Sequence, residues 1–341
     1  MKVIHFPGDL GTNPYQKGLI DGLCAHGVDA MAERDGDLAF TRIAFSSKAD
    51  ILHLHWMYPK LVVRSVPIAL MRFLLIQLNL VVWRLRGKKI VWTIHELQNH
   101  ENRRVWLDRL NCWLIARICN RAIVHGPSAV PLVVRAFGIR QDKLAVILHP
   151  NYAAALEKSK PPIWPTERMK ILFFGLIREY KGVPELIRAF RDADLDGDLH
   201  ICGKPYNDQV RADVEAAAAS ADNVTLDLRF IPDDELQVAL DSCHVIALPF
   251  TEVFTSGSVV MAISAARAVI APRIGLICDY LDDSCAFLFD PDSGTGLSAA
   301  LQEAAGSTEI PKKAAAARAR AEDLSINHIT AQLKAVYDEI L

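Results

Sequence analysis

Two doubly wound α/β units in series are what this chain of 341 residues predicts, on three observations. Short apolar runs alternate with amphipathic stretches from end to end, the pattern of parallel strands joined by crossover helices. The runs are continuous in Val, Ile and Leu rather than alternating with polar residues, as strands covered on both faces require. Three prolines within five positions, Pro161, Pro162 and Pro165, separate the first such series from the second and mark a linker.

In the first series the strands fall at residues 2–6, 28–32, 51–55, 89–94, 122–125 and 144–148, with helices at 15–25, 66–86, 105–120 and 129–137. The second series places strands at 170–174, 199–202, 224–228, 245–248, 269–271 and 286–289, and a helix from Val183. The organisation expected is a first domain over 1–155, a linker over 156–169 and a second domain over 170–325. A last helix over 326–341 is placed to pack back on the first domain. Ligands of such sheets bind beyond the C-terminal strand ends.

The net charge of −2 conceals a split: residues 1–150 carry a net +9 and residues 151–341 a net −11. A basic half of this size predicts an anionic partner, a membrane surface or lipid phosphate. Nucleic acid is not expected, because no aromatic-rich basic strand or recognised nucleic-acid module is present. Seven cysteines without a C-x-x-C pair read as reduced thiols, neither a disulfide frame nor a zinc site. Met1 leads straight into a strand with no export leader, so a cytoplasmic location is expected.

The most informative stretch is Gly175-Leu-Ile-Arg178-Glu-Tyr-Lys181-Gly182. It follows an apolar strand and opens a helix, so it gathers free backbone N–H groups, a helix dipole and two cations. Arg178 suits a bidentate contact and Lys181 a point charge, which together fit a diphosphate. An ordinary turn with two solvated cations is the alternative. Further on, Thr255-Ser256-Gly257-Ser258 begins another helix, combining an N-cap with a phosphate-binding nest.

In the first half, Gly8-Asp9-Leu-Gly11 follows the first strand, a turn in which Gly11 lets backbone approach a ligand and Asp9 is the one carboxylate. His53 and His55 end one strand and share a face, His95-Glu96 ends the next, and His100-Glu101 follow. Their spacing matches no common zinc pattern, so no metal is assigned. His53 reads best as a hydrogen-bonded core residue, and His149 marks the crossover toward the linker. Residues 66–83 are almost long enough to span a bilayer, but Arg72 in mid-segment costs about 2.5–3.5 kcal/mol there. With Arg84, Arg86, Lys88 and Lys89 behind it, a helix lying in the interface fits better than a span. The next helix, where Trp106 and Trp113 alternate with arginines, has the same character.

These motifs, with Ile201-Cys-Gly203-Lys204, Phe230-Ile-Pro-Asp-Asp-Glu-Leu236, Leu248-Pro249-Phe250 and Ala268-Val-Ile-Ala-Pro272, resemble the GT-B glycosyltransferases of the broad family-four-like group. The resemblance covers nearly the whole chain. It implies a GT-B fold, two doubly wound Rossmann-like domains facing a central cleft. It also implies transfer of a sugar from a UDP- or GDP-linked donor to a lipid-linked or oligosaccharide acceptor, in exopolysaccharide or glycolipid assembly, with no bound cofactor or metal. Arg178 and Lys181 would grip the donor diphosphate near Gly175 and Gly203, the base would rest on Phe230 and Ile231, and His95 would contact the sugar. The protein would be a peripheral one at the inner membrane face, binding through its basic first domain. The chain departs from retaining members in one respect. Their paired glutamates fall on Val253 and Met261, and Glu252 stands beside only the first slot, which leaves the stereochemistry open. Asp9 is the candidate general base of an inverting reaction. The rivals are a nucleotide-sugar epimerase of the same fold and a non-catalytic scaffold.

Overall fold

The structure is a computed structural model, and it describes residues 1–8, 14–34, 36, 38–99, 103–156, 168–219 and 221–341. The chain divides into two compact units, Met1–Pro150 with Ile326–Leu341, and Asn151–Ser325.

The first unit runs β1 (Lys2–Gly8), α1 (Pro14–Ala25), β2 (Asp29–Arg34), α2 (Ala39–Ser46), β3 (Ile51–Leu54), α3 (Val66–Leu85), β4 (Lys89–Thr93), α4 (Val105–Ile118), β5 (Arg121–Val124), α5 (Ala129–Phe137) and β6 (Leu144–Val146). Its six strands are parallel in the order β2-β1-β3-β4-β5-β6. Between β1 and β3 the winding reverses, and β1 pairs with β3 from Val3↔Ile51 to Phe6↔Leu54. Carboxyl ends at such a reversal splay apart and leave room for a ligand.

The second unit runs β7 (Met169–Phe174), α6 (Val183–Asp192), β8 (Gly197–Cys202), α7 (Asp208–Ala218), β9 (Val224–Asp227), α8 (Asp233–Ser242), β10 (Val245–Ala247), α9 (Gly257–Ser264), β11 (Ala268–Pro272), α10 (Ile277–Tyr280), β12 (Ala286–Phe289), α11 (Gly296–Gly306) and α12 (Ile310–Asp323). The parallel sheet is ordered β12-β11-β10-β7-β8-β9, so its reversal falls between β7 and β10. The final helix, α13 (Ile326–Asp338), returns to the first unit. There Ile329, Leu333 and Tyr337 join Leu19, Leu23 and Val3 in one buried cluster beneath α1.

Burial explains the continuous apolar strands: Ile51, Leu52 and Leu54 are wholly inaccessible, as are Val245, Ile246 and Ala247. Helix α3 is the exception to ordinary amphipathic logic. Ala69, Phe73, Ile76, Leu80 and Trp83 face inward, yet Met71, Leu74, Leu78, Val81 and Leu85 form an exposed stripe at the same helical spacing. The polar residues that seemed to interrupt it are turned onto neighbouring helices. Asn79 Nδ2 donates to Thr41 Oγ1 at 3.2 Å, and Gln77 Nε2 to Asn111 Oδ1 at 2.8 Å.

Candidate active site

In the second unit, the reversal point brings together the loops after β7 and β10. Gly175 follows β7 with φ at 109°, and a short 3₁₀ turn over Glu179–Lys181 leads into α6. Gly182 caps that turn at φ 64°, and a side chain there would put its Cβ 2.2 Å from Pro249 O, so glycine is required twice over. Thr251 N donates to Tyr180 O at 2.9 Å and ties the two loops together. Gly203 has the same steric role, since a Cβ on it would lie 1.9 Å from Gly175 O.

Ser256 caps α9, its Oγ accepting the Val259 N–H at 3.3 Å. Gly257 and Ser258 open the first turn, whose N–H groups have no helical acceptor. Ser258 Oγ lies 3.3 Å from where a Cβ on Gly175 would be, so this helix start adjoins the β7 turn. The Arg178 guanidinium stacks over Tyr206 at 4.1 Å, and Lys181 Nζ lies 3.8 Å from the centre of the Phe250 ring. Burial, and then the positive charge of Arg178, pull the Lys181 amine down to about 7. No carboxylate among the described residues pairs with it. Two cations beside a capped helix start make an arrangement suited to an anion.

Of the other expected site residues, Glu252 is exposed and Thr255 half-buried on the β10–α9 loop. Phe230, 74% exposed, and Ile231 follow β9 at the edge of the sheet. A large aromatic ring left this open is available to stack on a base. Asp9 and Gly11 lie outside the described residues, as do His100 and Glu101.

The first unit's reversal point has a different chemistry. His5, His53, His55, His95, His125 and His149 gather at the strand ends around Tyr15 and Trp56. His53 is held between the hydroxyls of Tyr337 (2.6 Å) and Thr93 (2.7 Å), a core residue that fastens α13 to the sheet. His125 Nδ1 donates to Ile147 O at 2.9 Å and its Nε2 accepts from Tyr15 at 3.3 Å. Burial holds all six imidazoles neutral, taking His5 and His149 to about 3 and His125 to about 4. His53, His55 and His95 are lowered by burial and then by neighbouring imidazoles.

His5, His53 and His55 have nitrogens within 4.8 Å of one another. These nitrogens are already engaged: both of His53 with the Tyr337 and Thr93 hydroxyls, and His5 Nδ1 with His55 Nε2 at 2.9 Å. His95, beneath Trp56 at 4.0 Å, lines a cavity of about 30 Å³ with Tyr58, Glu96 and Asp108, room for a water. Buried Asp108 accepts from Asn99 N and Nδ2 at 3.3 and 3.0 Å and so fixes the loop that follows His95. Sequence reasoning missed His5 and His125, and placed His149 only at the crossover toward the linker and not in this group. The signal was a histidine ending strand after strand.

A model of the family described as glycosyl transferases group 1 matches residues 168–306, which include the cationic receptacle. A GDP-mannose:glycolipid 4-beta-D-mannosyltransferase of Xanthomonas campestris pv. campestris is 30% identical over 323 residues, 92% of this chain and 84% of that protein. The chain belongs to this glycosyltransferase family. Among solved structures, Anabaena HepE in complex with UDP and glucose superposes with a TM-score of 0.74 at 14% identity, covering 99% of this chain and 100% of that one. Sucrose-phosphate synthase of Thermosynechococcus elongatus gives 0.74 at 17% identity, covering 99% and 98%. Those likenesses establish the GT-B fold. This glycosyltransferase therefore takes its sugar from a nucleotide sugar.

Proposed function

We propose that this glycosyltransferase moves mannose from GDP-mannose to a lipid-linked acceptor at an anionic membrane surface, inverting the anomeric carbon, in exopolysaccharide or glycolipid assembly. The donor and glycolipid follow the name of the 30% identical relative. Inversion is supported by Met261, which occupies the second glutamate slot of retaining members, and by the β linkage in that name, since GDP-mannose carries an α-linked sugar.

In the reaction an acceptor hydroxyl oxygen bonds to C1 of mannose as the C1–O bond to the diphosphate breaks. The bonding pair leaves with the diphosphate, and Arg178, Lys181 and the α9 amides stabilise the charge that develops there, work that can replace a metal ion. The hydroxyl proton passes to a carboxylate, for which we propose Asp9. His95 contacts the transferred sugar, and Phe230 carries the guanine.

The outer face of α3 and α4 carries the acceptor half of this reading. Leu74 is 65% and Leu85 82% exposed, and beside them Trp106, Leu110 and Trp113 project from α4. Arg117 lies over Trp113 at 3.8 Å, and Arg84, Arg86 and Lys88 follow the end of the stripe. One face of α3 packs on its own unit, so the helix lies in the interface instead of crossing the bilayer. Its basic rim suits the anionic cytoplasmic leaflet.

Two experiments test the halves separately. Thermal shift against GDP, UDP and ADP without metal should respond to GDP, since a ligand at one hundred times its Kd adds about 2.7 kcal/mol. A response to UDP alone sinks the mannose donor. Flotation with phosphatidylserine vesicles should be lost in Leu74→Glu/Leu78→Glu while GDP binding survives; unchanged flotation sinks the membrane surface.

A further inference from the structure

We propose that Tyr206 and Phe250 are positioning residues: each presents a ring face to one of the two cations and holds it ready for a diphosphate without neutralising it. The diphosphate half of this statement rests on the function proposed above; the two seats do not.

The rings reach the cations from different loops. Tyr206 follows β8 on the way to α7, and Phe250 follows β10 on the way to α9. The Arg178 guanidinium lies over the Tyr206 ring at 4.1 Å, and the Lys181 ammonium over the Phe250 ring at 3.8 Å. Both fall inside the distance of about 6 Å within which a ring quadrupole attracts a cation. Backbone holds each ring in place. Ile177, the residue before Arg178, pairs with Pro205; its N–H donates to Lys204 O and its carbonyl accepts from Tyr206 N, each at 2.9 Å. On the other side two loops meet in reverse order, residue against residue. Pro249 O closes on Gly182, the Phe250 ring on Lys181, and Thr251 N donates to Tyr180 O at 2.9 Å. The Phe250 ring is therefore stapled under its cation from both sides.

Charge explains why rings stand here. Burial draws the Lys181 amine down, and the Arg178 charge beside it draws it further. A carboxylate against Lys181 would reverse that pull, but it would cancel the positive charge and compete with phosphate for the same N–H donors. A ring face favours the ammonium form through its quadrupole and carries no net charge, so the cation stays attractive to an incoming anion. One seat is built into the core and the other is open to solvent, Phe250 being 2% and Tyr206 42% exposed. Substitution at Tyr206 therefore tests the idea without disturbing the core.

Nuclear magnetic resonance of the full chain with labelled lysine reads the buried seat without any ligand. The Lys181 ε-protons, assigned by their loss in Lys181→Met, should be shifted upfield by the ring and return to the ordinary position in Phe250→Leu; an unshifted Lys181 signal overturns the seat. GDP affinity then reads its use. Phe250→Leu should weaken GDP binding by about fivefold and Tyr206→Leu by about threefold, the cost of ordering a side chain on binding instead of beforehand. Tyr206→Phe should restore most of what Tyr206→Leu loses, because it returns the ring and omits only the hydroxyl. In a Lys181→Met background Phe250→Leu should weaken binding no further, since the ring then has no cation to place. Additive losses would make Phe250 a packing residue only and overturn the positioning role. Should the protein bind UDP in place of GDP, the same cycle applies, because both nucleotides present the same diphosphate. If Lys181→Met leaves nucleotide affinity unchanged while the upfield signal is present, the diphosphate reading has failed and the role of Phe250 in binding falls with it.

Discussion

The two units place their candidate chemistry at the same topological point and fill it in opposite ways. In the second unit the reversal between β7 and β10 holds Arg178 and Lys181, two cations near enough that one lowers the other's pKa. In the first, the strand ends around the reversal between β1 and β3 hold six neutral imidazoles, hydrogen-bonded to one another or to neighbouring hydroxyls and carbonyls, with His5 Nε2 left without a hydrogen-bond partner among the described residues. Burial disfavours charge in both places. On the proposed function the difference would lie in what the ligand supplies: a diphosphate would bring charge that restores the cations, whereas a sugar would bring only hydroxyls. A site that awaits an anion can keep two cations together, and a site that awaits hydroxyls is better neutral.

The comparison breaks most visibly in acid. Each buried imidazole has a folded pKa below its ordinary value near 6.5, so the unfolded chain binds more protons below that pH and stability falls as pH drops. At pH 5.5 each such histidine costs about 1.4 kcal/mol relative to alkaline pH, and six together reach several kcal/mol, comparable to the stability of a domain. The first unit should therefore melt first. Trp56, Trp83, Trp92, Trp106 and Trp113 all belong to it, so fluorescence should change before far-UV circular dichroism has collapsed. Coincident transitions below pH 4 would contradict the neutral cluster.

Catalysis should break at the other unit. Arg178→Ala and Lys181→Met are expected to lower kcat by about 10²–10³-fold, the cost of losing one group that stabilises developing charge. Lys181→Met should at the same time raise the melting temperature, because it removes a desolvated cation that stands beside another. Activity within tenfold of wild type, measured with matched melting curves, would remove the diphosphate assignment. A steric test follows. Gly182→Ala places a methyl against Pro249 O in a left-handed turn and should destabilise by about 1–3 kcal/mol, reducing donor affinity through the displaced loop.

What could be read from the chain follows the range of the signal. All twelve strands among the described residues were legible because each is a local apolar run, and the cationic turn because glycines and cations fall within eight residues. Helix α2 was missed: Phe40, Ile43 and Ala44 give it one short apolar face directly after a glycine- and aspartate-rich segment. The histidine cluster was only half seen, since His5, His125 and His149 are brought together by sheet order and by nothing local. The apolar character of α3 was legible as composition, but only the fold shows that Gln77 and Asn79 are turned away from its exposed stripe.

The subtlest consequence concerns protons. Lys181, lowered to about 7, is mostly neutral in the free protein at pH 8, where an ordinary lysine is fully charged. Because its folded pKa lies below 10.5, the unfolded chain holds more protons between about 7 and 10.5, and the free protein gains stability as pH rises through that window. A bound diphosphate reverses the balance by stabilising the ammonium. Nucleotide binding at pH 8 should therefore take up close to one proton, about 0.9 by simple titration of a group with pKa 7. Titration calorimetry of GDP in Tris and in phosphate, whose ionisation enthalpies differ, reads that number directly. Affinity should fall with rising pH, by up to about tenfold per unit, until the pKa of the bound state is reached. Proton uptake near zero, with binding intact, would mean that Lys181 is already charged before the donor arrives, and the contrast between the two units would then be one of residue type and not of readiness for charge.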